Sequence, residues 1–330
     1  MSPKRSKLAL AAAGVAILGF AGQAHAGAYA TSSLLIDNFV INFSNPGQAA
    51  IRSFEFTSTN TASLNGVSAM PQSASCGGTL ALNSCGNSPT LNALAANAPG
   101  GSVVRTDNTF LQYGPGTQTY SNSDSVIQSS QLTGNAFGRT QQIAESELQT
   151  SGTGAANAEI QSSTGFLFNF TVSGALANTM TMLFDANPFM RVALGGPNFL
   201  NGITQANLNA SFTLTQELTG NQVSWAPQGN AANSCLVGVA GVVCTELNDT
   251  FSLNRNISIS SPNDLSFAPG GMGAFGLSIA GLANGNWSLA LNTLTSTQVR
   301  LQAVPEPGML SLVGLSLVAL GLSRRRRKVT

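Results

Sequence analysis

The sequence predicts a mainly β protein: an antiparallel β-sandwich or jelly-roll-like domain between an N-terminal signal peptide and a short C-terminal transmembrane helix. Three observations predict it. Apolar and polar residues alternate in many short runs, Gly- and Asn-rich turns separate those runs, and each end of the 330 residues carries an apolar segment beside cations.

Residues 1–26 read as a secretory signal. Lys4, Arg5 and Lys7 precede an apolar run from Leu8 to Phe20, and Ala24-His25-Ala26 supplies an A-x-A cleavage site for signal peptidase. Ala28-Tyr29-Ala30 offers a second site, so the mature start is Gly27 or Thr31. The apolar run is too short to span a bilayer comfortably, and its small-residue exit favours cleavage. His25, the single histidine, then leaves with the signal.

Residues 27–303 form the exported β-rich domain. Its clearest strand is Gly165–Ser173, where Phe166, Phe168, Phe170 and Val172 alternate with Leu167, Asn169 and Thr171. Leu208–Leu214 and Trp287–Leu291 alternate in the same way. Similar short runs occur at Leu34–Phe43, Ile51–Thr57, Met180–Asp185, Phe251–Ser260, Ala274–Ile279 and Gln298–Ala303. Turn chemistry lies between them, as at Asn45-Pro46-Gly47, Asn65-Gly66, Asn201-Gly202 and Asn284-Gly285. Residues 58–135 are rich in Ser, Asn, Gly, Thr and Gln with poor apolar periodicity, which reads as a loop-rich insertion. Helix is scarce. Leu91–Ala98 has room for two turns before Pro99, and Thr140–Leu148 suits a helix or a strand.

Cys76 and Cys85 are nine apart, as are Cys235 and Cys244. An even cysteine count in an exported chain suggests disulfides, and of three pairings the local 76–85 and 235–244 bridges are preferred, each stapling a hairpin. Zinc is disfavoured because there is no C-x-x-C and no mature histidine. No metal or cofactor is expected.

The formal charge of +1 averages unlike pieces. Between Gly27 and Val304, six arginines, no lysine and twelve carboxylates give −6. This excludes an electrostatically driven nucleic-acid surface, and the lack of histidine excludes His-dependent chemistry. Carboxylates remain. Glu145 and Glu147 would share a face if their segment is a strand, and Asp185 lies in Phe-Asp-Ala-Asn-Pro-Phe. A glycosidase needs two carboxyls about 5 or 6.5–9.5 Å apart across a sugar bond. Carboxylates on β proteins more often serve solvated faces or turn caps. No catalytic constellation is present, so no enzyme is expected. Trp225 and Tyr113, beside Pro and Gly in turn contexts, are the candidate ligand contacts, whereas Trp287 sits in a strand pattern and is expected in the core.

Residues 304–330 are an address. Val304-Pro305-Glu306-Pro307 leads into an apolar run read as a transmembrane helix over 308–323, followed by Arg324, Arg325, Arg326, Arg327 and Lys328. The cationic cluster acts as a membrane stop signal that stays cytoplasmic, which places everything before Pro305 outside the inner membrane. The tetrad, short apolar helix and terminal Arg cluster resemble a PEP-CTERM sorting signal, a tail also labelled ice-binding protein C-terminal domain. The resemblance covers about the last 26 residues. It implies an exosortase-type membrane protease as partner, transient anchoring in the inner membrane, and release or re-anchoring at the cell surface of a Gram-negative bacterium that builds exopolysaccharide. It says nothing of activity, and the Thr-x-Thr pairs at Thr57/Thr59, Thr117/Thr119, Thr213/Thr215 and Thr295/Thr297 lack the common period an ice-binding array would want. The function expected is a structural or adhesive one linked to exopolysaccharide and biofilm. The alternatives are an extracellular carbohydrate-active enzyme using paired carboxylates, or a soluble secreted factor with no ligand.

Overall fold

A computed structural model describes residues 25–303 apart from 80, 81, 83, 86–89, 130–137, 152–154, 175–177, 196–198 and 230–233. Ala24 of the cleavage site, Val304, Pro305, Glu306 and Pro307 of the tetrad, the span 308–323 and the basic cluster 324–328 lie outside the described residues.

Strands dominate. In chain order they are β1 (His25–Phe43), β2 (Ala49–Leu64), β3 (Val67–Ser68), β4 (Gln72–Gly78), β5 (Thr90–Asn97) and β6 (Tyr120–Ser129). Next come β7 (Gly138–Ser151), β8 (Ala155–Val172), β9 (Asn178–Gly195), β10 (Phe199–Gln216), β11 (Gln222–Trp225) and β12 (Cys235–Val237). The last are β13 (Val243–Asp249), β14 (Arg255–Ile259), β15 (Asn263–Phe267), β16 (Gly273–Leu282) and β17 (Gly285–Ala303). One sheet has the order β13-β16-β9-β1-β7-β6-β5, with β15 also on β9. The other has the order β12-β11-β10-β17-β8-β2-β3, with β14 on β10 and β4 on β2. All pairings are antiparallel, and the two sheets face each other with β1, β6 and β7 over β17, β8 and β2.

Asn65 and Gly66 both take positive φ, 52° and 79°, as a two-residue hairpin turn from β2 to β3 requires. Asn38 at φ 54° makes the bulge that bends β1 between Ile36 and Phe39. Leu91–Ala98, a candidate helix by sequence, is instead β5 over Thr90–Asn97. Thr140–Leu148 lies inside β7. β5 pairs with β6 on one side and β7 with β6 and β1 on both, and that tertiary gain overrides local preference. The segment 58–135 holds the end of β2, then β3, β4, β5 and all of β6, plus residues 98–119, which have no strand.

The interior has two textures. Phe54, Phe56, Phe166, Phe168, Phe170, Phe184, Phe212, Phe275, Trp225 and Trp287 are buried in one continuous apolar cluster, and each such side chain contributes roughly 1.5–3 kcal/mol. Beside it lies a band of buried hydroxyls and amides. Asn60 Oδ1 accepts from Ser125 Oγ at 2.8 Å and Ser162 Oγ at 2.9 Å, and Thr140 Oγ1 donates to Thr164 Oγ1 at 2.8 Å. Gln142 Oε1 accepts from Thr293 Oγ1 at 3.1 Å. The long inner strands therefore keep their in-out alternation between bulges, but some of their inward residues are polar, and bonds such as these offset part of the cost of burial.

The disulfides are Cys76–Cys85 and Cys235–Cys244, with Cα–Cα distances of 5.1 and 6.1 Å. The second does not staple a hairpin. It joins β12, the edge of one sheet, to β13, the edge of the other. The first ties β4 to the segment leading to β5, at the opposite edges of the two sheets. Each closes a nine-residue separation, which is worth about 2.5 kcal/mol by loop entropy.

Register places both ends of the domain together. Gly27 pairs with Gln149 near the end of β7 and with Gly195 at the end of β9. At the other terminus, Gln302 pairs with Ala155 at the start of β8, and Ala303 with Phe199 at the start of β10. The end of β7, the start of β8, the end of β9 and the start of β10 therefore lie beside both domain ends at one end of the sandwich. β1 and β17 are also inner strands, each paired on both sides.

Candidate functional site

The most concentrated chemistry lies on the outer face of the eight-stranded sheet. In β7, Ala144, Ser146 and Leu148 point to the other sheet, so Glu145 and Glu147 point away from it, as a strand reading of this segment expects. That face is buried too, because residues 98–119 lie over it: Glu145 is 0% exposed and Glu147 is 1% exposed. Tyr29 and Thr31 of β1 and Tyr120 and Asn122 of β6 stand opposite them in register.

The two carboxylates are occupied mainly in holding this strap. Glu145 Oε1 accepts from Tyr29 OH at 2.7 Å, Tyr113 N at 2.9 Å and Gly114 N at 3.2 Å, while Oε2 accepts from the Arg105 guanidinium. Arg105, 1% exposed, also donates to Asn122 Oδ1 and to the carbonyls of Thr109 and Leu111. Glu147 Oε1 accepts from Gly116 N at 2.9 Å, Gln118 N at 3.2 Å and Gln149 Nε2 at 3.0 Å. Charge-assisted bonds to backbone N–H groups are among the stronger ones available, so this cluster fixes an otherwise strandless segment. Gly114 fits closely: a Cβ there would sit 2.6 Å from Glu147 Oε2 and 2.7 Å from Tyr29 Cε2.

Burial sets the protonation of this layer. It pushes the Tyr29 and Tyr120 hydroxyls far above their ordinary range, with Glu145 adding to the effect, so both stay protonated. Asp124 is raised to about 6, chiefly by burial, against the opposing hydrogen bonds from the Thr109 and Ser125 backbones and the charge of Arg105. Asp249 is raised to about 6 by burial and by Glu246. Between the unfolded value of 3.8 and 6, the folded state holds protons that the unfolded state releases, so raising the pH through this window lowers stability. Thermal unfolding is expected to show a midpoint that falls from about pH 4 to about pH 6.5, and Asp124→Asn should flatten the slope. A flat profile in the parent protein counts against the buried placement of Asp124. Asp264, lowered by its Arg191 partner, acts in the opposite sense and only below 3.8.

The two candidate ligand contacts separate. Trp225 is not on the surface. It is 1% exposed in β11, its ring lies 5.0 Å from Phe212 and 6.0 Å from Phe184, and Nε1 donates to Glu246 Oε1 at 2.9 Å. Ala226 and Pro227 follow the end of the strand without lifting the indole into solvent. Tyr113 is 36% exposed, but one ring face carries Arg105 at 4.5 Å and the ring meets Tyr120 edge-on. Trp287 is buried, as its strand pattern predicts. Among the described residues, no three His, Cys, Asp or Glu side chains gather as a metal site, and no helix is long and apolar enough to cross a membrane. Sequence reasoning missed Arg105. Its only signal was a lone arginine inside a polar segment, which is an ordinary surface pattern.

At the end of β17 the last paired residue is Ala303, and from that residue on the chain matches a known family. The PEP-CTERM protein-sorting motif is found at residues 303–327. The chain carries this sorting motif. The PEP-CTERM motif implies processing by exosortase, a membrane protease, and export with a transient membrane-anchored stage before the surface. No curated protein matches the chain. Among solved structures, the infectious bursal disease virus VP2 subviral particle aligns at 10% identity over 93% of this chain and 89% of that one, with a TM-score of 0.08. The structure of the infectious bursal disease virus Gx strain aligns at 11% identity over 92% and 87%, with a TM-score of 0.09. Scores this low carry no argument about fold or function.

Proposed function

We propose that the chain is an exported, non-enzymatic protein of the Gram-negative cell surface or matrix, and that it adheres to exopolysaccharide through the outer face of its nine-stranded sheet. The observation supporting this reading is a patch of amides and hydroxyls on that face. Asn207 of β10 stands in register with Ser296 of β17 and, through the Gln161 position, with Thr61 of β2. Asn207 Nδ2 donates to Ser296 Oγ at 3.2 Å and Gln205 Nε2 to Asn207 Oδ1 at 3.1 Å. A concavity of about 540 Å³ opens there, lined by Thr61, Ser63, Gln205, Asn207, Ser296 and Gln298, with no charged side chain among its described lining residues. Amides and hydroxyls offer donors and acceptors together, as sugar hydroxyls require, directly or through bridging water. Both termini leave from one end of the sandwich, so a chain still held by its sorting tail would expose its sheet faces to the matrix.

Co-sedimentation of the exported protein with exopolysaccharide from the same bacterium tests this. Asn207→Ala/Gln298→Ala should weaken binding about tenfold, as loss of two polar contacts does, while leaving the unfolding temperature nearly unchanged. Equal binding by parent and variant, or none by either, removes the adhesive reading. The enzymatic alternative draws on one observation, the side-by-side Glu145 and Glu147. A glycosidase needs its acid and its nucleophile or base open to a sugar, and Glu145 spends both oxygens inside the strap.

A further inference from the structure

Glu147 keeps an unused oxygen. Oε2 has no hydrogen-bond partner although the residue is 1% exposed, and an unpaired buried carboxylate oxygen is costly unless a cation neutralises it. Glu147 lines a cavity of about 500 Å³ together with Gly27, Tyr29, Gln149 and Asp264. The other charged groups around it are already matched. Asp264 is held by Nε and Nη2 of Arg191 and Glu145 by Arg105, while Tyr29 and Tyr120 stay neutral. The unbalanced charge is the carboxylate of Glu147.

The chain itself can supply the cation. We propose that signal peptidase cuts between Ala26 and Gly27, and that the Gly27 ammonium so formed is the ligand of this cavity, paired with Glu147. Water adds across the Ala26–Gly27 peptide bond. The new carboxylate leaves on Ala26 with the signal, and the new amine on Gly27 takes up a proton at neutral pH. Three further observations favour this bond over the one after Ala30. Pairing of β1 with both neighbours begins at Gly27, whereas His25 and Ala26 pair with β7 alone. Ala28, Tyr29 and Ala30 are each at most 1% exposed, and a start at Thr31 would remove the Tyr29 hydroxyl from Glu145. Residue 27 is also a close fit, because a Cβ there would lie 2.9 Å from Gln149 Nε2 and that side chain would have to move aside. Gly27 and Glu147 line the same cavity, two register positions apart on neighbouring strands.

The inference rests on residues 1–26 being a signal, and its test separates the two ideas. The exported protein is purified and its N-terminus read by intact mass and terminal peptide. Its α-amine is then acylated over a pH series, folded and in denaturant, alongside Glu147→Gln. The expected result is a chain starting at Gly27 whose labelling midpoint in the folded state lies about one unit above the usual α-amino range of about 7.7–8.0, and falls back in E147Q. A start at Thr31 overturns the proposal and leaves export intact, whereas an uncleaved start overturns both. A Gly27 start with the same midpoint folded and denatured, or the same midpoint in parent and E147Q, overturns the pairing. The folded-against-denatured comparison uses the parent protein alone, so it stands even where the variant folds poorly.

Discussion

Trp225→Ala is expected to lower the stability of the exported protein by about 3–5 kcal/mol, as removal of a fully buried indole does elsewhere. The reasons are local. The ring fills the space between Phe212 on its own sheet and Phe184 on the opposing one, so its loss opens a cavity where the sheets meet. Its Nε1 also satisfies Glu246, which accepts from Ser234 N as well and lies in β13. Truncation removes that donor and leaves Glu246 Oε1 with only the longer 3.4 Å bond from Ser234 Oγ. The same strand end is tied by Cys235–Cys244, directly opposite Trp225 in the β11–β12 register, so the disulfide keeps β12 near β13 while the cavity forms. Denaturant unfolding measures the cost, and exopolysaccharide binding by the variant under folding conditions should match the parent. A loss below about 1 kcal/mol, or a selective loss of binding, would return Trp225 to the surface.

That residue also shows where sequence reading stops. Strand alternation was legible because period two survives in Phe166–Val172 and Trp287–Leu291, and both proved to be inner strands with those side chains inward. The strands proved longer than their apolar runs: β8 extends back to Ala155 and β17 on to Ala303. The missing halves carry Ser162, Thr164, Thr293, Thr295 and Thr297 inward, and an inward threonine looks the same in sequence as an outward one. Only the partner across the sandwich, as in the bond from Thr293 to Gln142, distinguishes them. Trp225 failed for a related reason. Val-Ser-Trp-Ala-Pro resembles a turn, yet the short strand Gln222–Trp225 ahead of the proline suffices to carry the indole inward. The cysteine pairing was readable from spacing, but not that one bridge would cross between sheets, since that depends on the order of nine strands in one sheet and eight in the other.

The Arg105–Glu145 pair should show the second large effect. Both side chains are 0% exposed, so Arg105→Met leaves a carboxylate inside the protein with only the Tyr29 hydroxyl and two backbone N–H groups, a change expected to cost about 3–5 kcal/mol. Glu145→Leu should cost a similar amount, because it strands a guanidinium whose remaining partners are Asn122 and two carbonyls. Many buried ion pairs can be replaced by apolar residues with little loss, but this one should resist. The double variant Arg105→Met/Glu145→Leu also strips the acceptor from the Tyr29 hydroxyl and from the part-buried Tyr113 N and Gly114 N. The cycle should therefore be less than additive yet end well below the parent. Limited proteolysis should detect the same change locally, with cleavage between residues 98 and 119 before the sheets unfold. If the double variant instead recovers parental stability and protease resistance, apolar burial alone holds the strap, and the paired glutamates become free for the chemistry that their side-by-side placement first suggested.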